Sequence, residues 1–266
     1  MSTHVRPAAV AGMFYPDSPV RLGREIAAML AGAAGEPDDC PKAIIVPHAG
    51  YVYSGPIAAS AFAMLSGGKD TIRRVLLLGP AHHVAVRGLA LPDCEAFTTP
   101  LGRVPVDPLA VEAIRDLPWI VLSEPAHRQE HSLEVEIPFL QVVLGEFSLL
   151  PIAVGEASPD TVAEVLDRLW SGPETLIVVS SDLSHYLPCE EARAIDAETA
   201  RRILHLDPTI EPDRACGATP VNGLLLAARK RGLRVRQLDL RNSGDTAGDR
   251  RRVVGYGAFA FLETLR

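Results

Sequence analysis

Three short apolar runs constrain this chain more than anything else in it, because each stops abruptly and is followed almost at once by histidine. Ile44-Ile45-Val46 runs into Pro47 and His48, Val75 to Gly79 runs into Pro80 and then His82-His83, and Leu176 to Ser181 runs into Asp182 and then His185. Runs of this length, rich in Val, Ile and Leu, are what strands buried on both faces of a parallel sheet require. A proline lacks the N–H that the next ladder bond needs, so the first two strands end where the prolines stand. Each histidine is therefore expected just past the carboxyl end of a strand. In an open α/β sheet that rim is where ligands bind, since crossover helices leave a crevice there. One such histidine would mean little; three on strands of one sheet point to one cleft.

Helical patterns fill the gaps between these strands. Asp17 or Ser18 ahead of Pro19 is a helix N-cap, and Leu22, Ile26, Met29 and Leu30 share one face of a helix over residues 19–33. Small and apolar residues from Pro56 to Leu65 predict a tightly packed helix that Gly67-Gly68 ends. Asp107-Pro108 opens a helix to about Asp116, and Leu133, Ile137, Leu140 and Leu144 keep helical spacing after His131. Further helices are expected from Ser158-Pro159 to Trp170, from Glu190 to Leu206 and from Pro220 to Arg231. Residues 148–154, 235–240 and 253–261 read as strands, residues 35–41 and 241–249 as loops, and the Pro- and Gly-rich stretch from Gly88 to Val106 as irregular strands and turns. Strands alternating with helices make an α/β protein, a single domain over residues 1–266 with a mostly parallel central sheet flanked by helices.

Composition narrows the function classes. A chain of 266 residues that is 47% hydrophobic can bury a large core, and a net charge of -7 offers nucleic acid no electrostatic footprint. The four cysteines, Cys40, Cys94, Cys189 and Cys216, form no C-x-x-C pair, so neither a zinc finger nor a disulfide framework is indicated and a reducing cytoplasm fits. The amino end lacks a signal-peptide pattern, and no apolar run approaches bilayer-spanning length. The expectation is a soluble cytoplasmic protein with neither nucleic-acid nor membrane partners.

Two neutral imidazoles plus one carboxylate, with positions left open, is the facial ligand set of non-haem iron(II), and a similar set suits catalytic zinc. His48 and His82 are the imidazole candidates; taken singly, each is more often an N–H donor that ties down a loop. His83 reads as structural because adjacent side chains diverge. Asp182 and His185 stand close enough in sequence for a carboxylate–imidazole couple that fixes the tautomer for proton transfer. They would equally serve as two metal ligands, and Asp182 alone would serve as an N-cap. His131, at the amino end of a helix, suits a neutral histidine acting as acid, base or donor to a bound anion, or a simple cap. His127 reads as a solvated loop residue, and Tyr51 and Tyr53 as packing beside the cleft.

The blocks R-P-A-A-V-A-G-M-F-Y-P, V-P-H-A-G-Y-V-Y-S-G, L-L-G-P-A-H-H, T-P-L-G, E-H-S-L-E-V-E-I-P-F-L-Q, V-V-S-S-D-L-S-H-Y, N-S-G-D-T and V-G-Y-G-A-F occur in this order. Together they resemble, over nearly the whole length, the Memo family, whose bacterial members are called AmmeMemoRadiSam system protein B. The resemblance implies a fold like that of the LigB-type class III extradiol dioxygenases, which use iron(II), with Zn or Cu as alternative metals. It marks His48 and His82 as metal-binding, His185 and His131 as further cleft histidines, and Asp182 as the motif aspartate beside them. Animal members carry a cysteine where Thr246 stands here; Asp245, one residue earlier, would restore a two-histidine, one-carboxylate set. The implied function is oxidation of a small molecule with dioxygen. The alternative is a non-catalytic metal- or peptide-binding protein within a modification system, with AMMECR-type and radical-SAM partners.

Overall fold

In the computed structural model, which describes residues 4–33 and 40–263, the three histidine-bearing runs are neighbours in one sheet. The chain proceeds through β1 (Val5–Arg6), α1 (Pro19–Gly32), β2 (Ala43–Val46), α2 (Tyr51–Phe62), β3 (Arg74–Pro80), β4 (Leu89–Leu91), β5 (Ala96–Thr99), β6 (Gly102–Pro105) and α3 (Pro108–Ile114). It continues with β7 (Ile120–Leu122), α4 (Glu124–Arg128), α5 (His131–Glu134), α6 (Ile137–Leu144), β8 (Ser148–Val154) and α7 (Pro159–Leu169). Last come β9 (Thr175–Ser180), β10 (His185–Leu187), α8 (Cys189–Leu204), α9 (Ala218–Arg231), β11 (Arg234–Asn242) and β12 (Val253–Leu262). Most of the loop expected at 35–41 lies outside the described residues.

The large sheet has the order β10-β12-β2-β9-β3-β8-β4-β7, with β11 on the other edge of β12. Its centre, β2, β9, β3 and β8, is parallel throughout. Both flanks turn antiparallel, where β12 joins β2 and β4 joins β8. The parallel centre follows from the sequence: these strands are buried along nearly their whole length, and covering both faces takes the helical crossovers that link them. A fully buried Val, Leu or Ile side chain contributes about 1.5–3 kcal/mol, so residues such as Ile44, Leu77, Ile152 and Val178 supply much of the driving force. A small second sheet pairs β1 with the β5–β6 hairpin, which is what the irregular stretch after Gly88 becomes.

Register decides where the strand ends fall. Val46 lies opposite Ser180, and Val179 lies opposite Leu78, so β2, β9 and β3 finish at one level and in one direction. Local differences from expectation have local causes. The helix after His131 is two helices, because Pro138 has no N–H to continue a ladder and instead sits in the first turn of α6. The helix expected from Pro56 begins five residues earlier at Tyr51, with Pro56 inside it. The polar stretch before His131 holds α4, capped by Ser123, whose hydroxyl accepts the Ala126 N–H.

Candidate metal centre

His48 stands two residues beyond β2 and His82 two residues beyond β3, on opposite sides of β9, so both side chains rise from the same rim. His131 arrives from above as the first residue of α5. That helix rests on the end of β3: Ser132 Oγ donates to the Pro80 carbonyl at 2.8 Å, and a Cβ on Gly79 would lie 2.8 Å from the same hydroxyl. Glycine at 79 therefore permits the approach that brings His131 in. The His82 and His131 rings stack with centroids 4.7 Å apart, and the His48 ring meets them edge-on at 5.3 and 5.5 Å. One ring nitrogen from each of the three lies within 4.8 Å of the others.

Carboxylates and burial shape the surroundings of the rings. Glu130 Oε1 is 2.8 Å from His82 Nδ1, and Glu130 Oε2 accepts the His82 backbone N–H. Burial alone would push this carboxyl up, but the bonds from the His82 ring and backbone and from the Ser132 N–H hold it well below the usual carboxylate range. An ionised carboxylate only accepts, so the His82 ring donates from Nδ1 and presents Nε2 on its other side. His48 is buried, which drives its pKa well below the ordinary histidine value, with His82 and His131 adding to the effect. Burial likewise brings His131 down to about 4. Neutral imidazoles are the form that binds metal.

Each residue singled out from the sequence has a definite place. His48, His82 and His131 come together, and His185 lines the same cleft, its pKa lowered by burial against the support of the Leu183 carbonyl. Asp182 is buried at the cleft, but its carboxylate accepts the His48 backbone N–H at 2.8 Å, and no hydrogen bond joins it to His185 among the described residues. The expected Asp182–His185 couple gives way to this bond because the chain at His48 has an N–H that no strand partner takes. Burial raises the Asp182 pKa to about 7. Asp245 does not complete the triad: its oxygens accept from Arg193 Nη2 at 2.7 Å and from the Asn242 N–H at 3.1 Å, capping a short turn. The third side chain grouped with His48 and His82 is instead His131. His127 is buried rather than solvated, its Nε2 2.9 Å from the Ala90 carbonyl. Tyr51 packs, with its hydroxyl on the Val135 carbonyl, while Tyr53 lines the cleft.

Sequence reasoning missed the carboxylates of the E-H-S-L-E-V-E segment and the thiol of Cys216. Glu130 serves His82, Glu134 binds Arg6 and the Tyr15 hydroxyl, and Glu136 accepts from Ser180 Oγ. Three acids in an otherwise apolar, helix-forming stretch were the available signal, since buried carboxylates persist only where partners await them. Cys216 Sγ stands 3.2 Å from His48 Nε2, its pKa pushed up to about 12 by burial and by Asp182.

The cleft above the three imidazoles has a volume of about 800 Å³, with Phe14, Tyr53, Tyr186 and Arg252 among its walls. The donor set fits a divalent cation. Imidazole nitrogens bind such ions at about 2.0–2.1 Å, so three of them around one tetrahedral ion lie about 3.4 Å apart, and a spread of 4.8 Å closes by an inward shift of each side chain by about 1 Å.

The chain resembles known proteins over nearly its whole length. The family model described as Memo-like protein matches residues 6–260. A MEMO1 family protein of Methanococcoides burtonii is 40% identical over 268 residues, covering 96% of this chain and 98% of its own. MEMO1 family proteins of Aquifex aeolicus and Sulfolobus acidocaldarius are each 36% identical, covering 97% of this chain and 99% of theirs. Among solved structures, an uncharacterized protein, JW3007 from Escherichia coli K12, superposes with a TM-score of 0.54 at 13% identity over 81% of this chain and 98% of its own, a likeness of fold.

Proposed function

This chain belongs to the family of Memo-like proteins, and from that premise we propose that it is a metal-dependent oxidoreductase, dioxygenase-like in type, acting on a small molecule in the histidine cleft. The observation that carries the reading is the convergence of His48, His82 and His131, with His82 Nε2 presented on the side of the ring away from Glu130. These three residues would hold the ion, and iron(II) is the metal we favour. Bound there, iron(II) would supply a centre at which a substrate oxygen and dioxygen meet. The chain's own part is to orient and to move protons. His185, kept neutral by burial, takes a proton from a substrate hydroxyl at a ring nitrogen. Asp182 holds the His48 backbone in place, and the aromatic walls at Phe14, Tyr53 and Tyr186 suit a planar substrate.

The test is metal analysis of protein purified anaerobically with iron supplied, beside His48→Ala, followed by aerobic turnover with catechols and related phenols. Loaded wild-type protein that consumes oxygen with such a substrate, and an unloaded His48→Ala, are expected. Loading without oxygen-dependent turnover would remove the oxygenase half of the reading. Three imidazoles with one open position also describe catalytic zinc, and activity supported by zinc without oxygen would make the protein a hydrolase. A loaded but inert protein that binds a peptide would be the non-catalytic alternative. A cytoplasmic setting, favoured by four free cysteines, and AMMECR-type and radical-SAM partners belong to the same proposal. Among the described residues no helix is long and apolar enough to cross a membrane.

A further inference from the structure

Hydrogen-bond accounting behind His48 leads past the triad to a residue with no direct contact with the cleft. His48 Nδ1 is 2.6 Å from Ser180 Oγ, and Ser180 Oγ donates to Glu136 Oε1 at 3.1 Å. Ser180 and Glu136 are both buried, and these are the only hydrogen bonds of the two side chains among the described residues. A hydroxyl has one proton to give. With that proton on Glu136, Ser180 Oγ faces the ring as an acceptor, so the imidazole proton sits on Nδ1 and the lone pair on Nε2. Nε2 is the nitrogen on the cleft side, 3.2 Å from Cys216 Sγ.

We propose that Glu136, acting through Ser180, is the positioning residue that holds His48 in the Nδ1–H tautomer with Nε2 presented to a cation. It is the counterpart, one hydroxyl removed, of Glu130 on His82. The role needs an oxygen that accepts, which a carboxyl group offers whether or not its other oxygen carries a proton. The single segment from Glu130 to Glu136 thereby supplies one ring to the site and sets the other two, which accounts for Glu130 and Glu136 in an otherwise apolar stretch. The inference rests on the cation reading above for its consequence, though not for its geometry.

The experiment uses full-length protein labelled with 15N in the histidine rings, where the two nitrogen shifts of His48 report the tautomer directly, and Co(II) as the probe cation. In wild-type protein His48 is expected as Nδ1–H. Ser180→Ala and Glu136→Met, which remove the acceptor and the group that turns it, are expected to lose that preference and to weaken Co(II) binding by about 10- to 100-fold. Glu136→Gln keeps an oxygen acceptor and is expected to restore the tautomer. Wild-type shifts and wild-type Co(II) affinity in Glu136→Met would overturn the proposal; should that variant fail to fold, the same result in Ser180→Ala does so. Wild-type protein that takes up no Co(II) would sink the cation reading instead, while the ring shifts still decide the role of Glu136.

Discussion

Glu130 and His82 are joined twice: one carboxylate oxygen faces the ring at Nδ1 and the other accepts the backbone N–H of the same residue. The double bond fixes where the loop after β3 lies as well as how the ring is turned. It also ties the site to α5, since Glu130 Oε1 accepts the Ser132 N–H at 3.0 Å.

Glu130→Gln should therefore affect affinity and stability together. An amide cannot accept from both the ring and the backbone, so Co(II) binding is expected to weaken by about 10- to 100-fold. Leaving one buried donor without a partner should cost about 1–3 kcal/mol in urea unfolding.

His82→Ala and Asp245→Ala should separate the two candidate ligands. His82→Ala should abolish metal loading and cost about 1–3 kcal/mol in urea unfolding, because the buried Glu130 carboxylate loses the ring N–H it accepts. Asp245→Ala should leave loading intact and cost about 1 kcal/mol, because it loses a turn cap and an ion pair to Arg193. Unloaded Asp245→Ala protein would return Asp245 to the ligand set.

His127 should make the fold sensitive to acid. Burial holds its folded pKa at about 4, below the ordinary value of 6.5, so the unfolded chain binds a proton that the folded chain refuses. The His127 contribution is complete above pH 6.5 and is lost as pH falls toward 4, by about 3 kcal/mol. Asp182 and Asp196, raised by burial to about 7 and about 6, act in the opposite sense, losing stability as pH rises from about 4. Comparing urea unfolding of His127→Gln with wild type at pH 7.5 and pH 4.5 isolates the histidine: the variant should lose less on acidification.

Arg6→Met should be among the most destabilising surface-remote changes. Arg6 Nη1 meets Glu134 Oε2 at 2.5 Å with both side chains buried, and the guanidinium also donates to the His127 and Glu130 carbonyls. Removing it leaves the Glu134 charge without its ion-pair partner, an expected loss of about 3–5 kcal/mol. Arg6→Met with Glu134→Leu should recover part of that loss in the same urea titration, and a double variant no better than the single one would locate the cost in the lost carbonyl bonds.

Residue pattern alone was enough for the central strands and for two of the three rings. Val, Ile and Leu runs closed by proline report burial and termination directly, which placed β2, β3 and β9 and put His48 and His82 at their carboxyl ends. The pattern offered His131 as an acid, base or cap at a helix start rather than as a third ring beside His48 and His82, and it was misleading on Asp245, where a carboxylate near the expected position is taken by Arg193 from another helix.

What the sequence determined by itself is what depends on near neighbours: strand, stop, and the side of the sheet from which a histidine emerges. What only the tertiary structure decided is which buried acid serves which ring, for Glu130 reaches His82 across 48 residues and Glu136 reaches Ser180 across 44. The physical reason is that a hydrogen bond in a dry interior needs its partner within about 3 Å. That proximity comes from strand register and from the close packing of α5 on Gly79, neither of which leaves a periodic trace in the residues themselves.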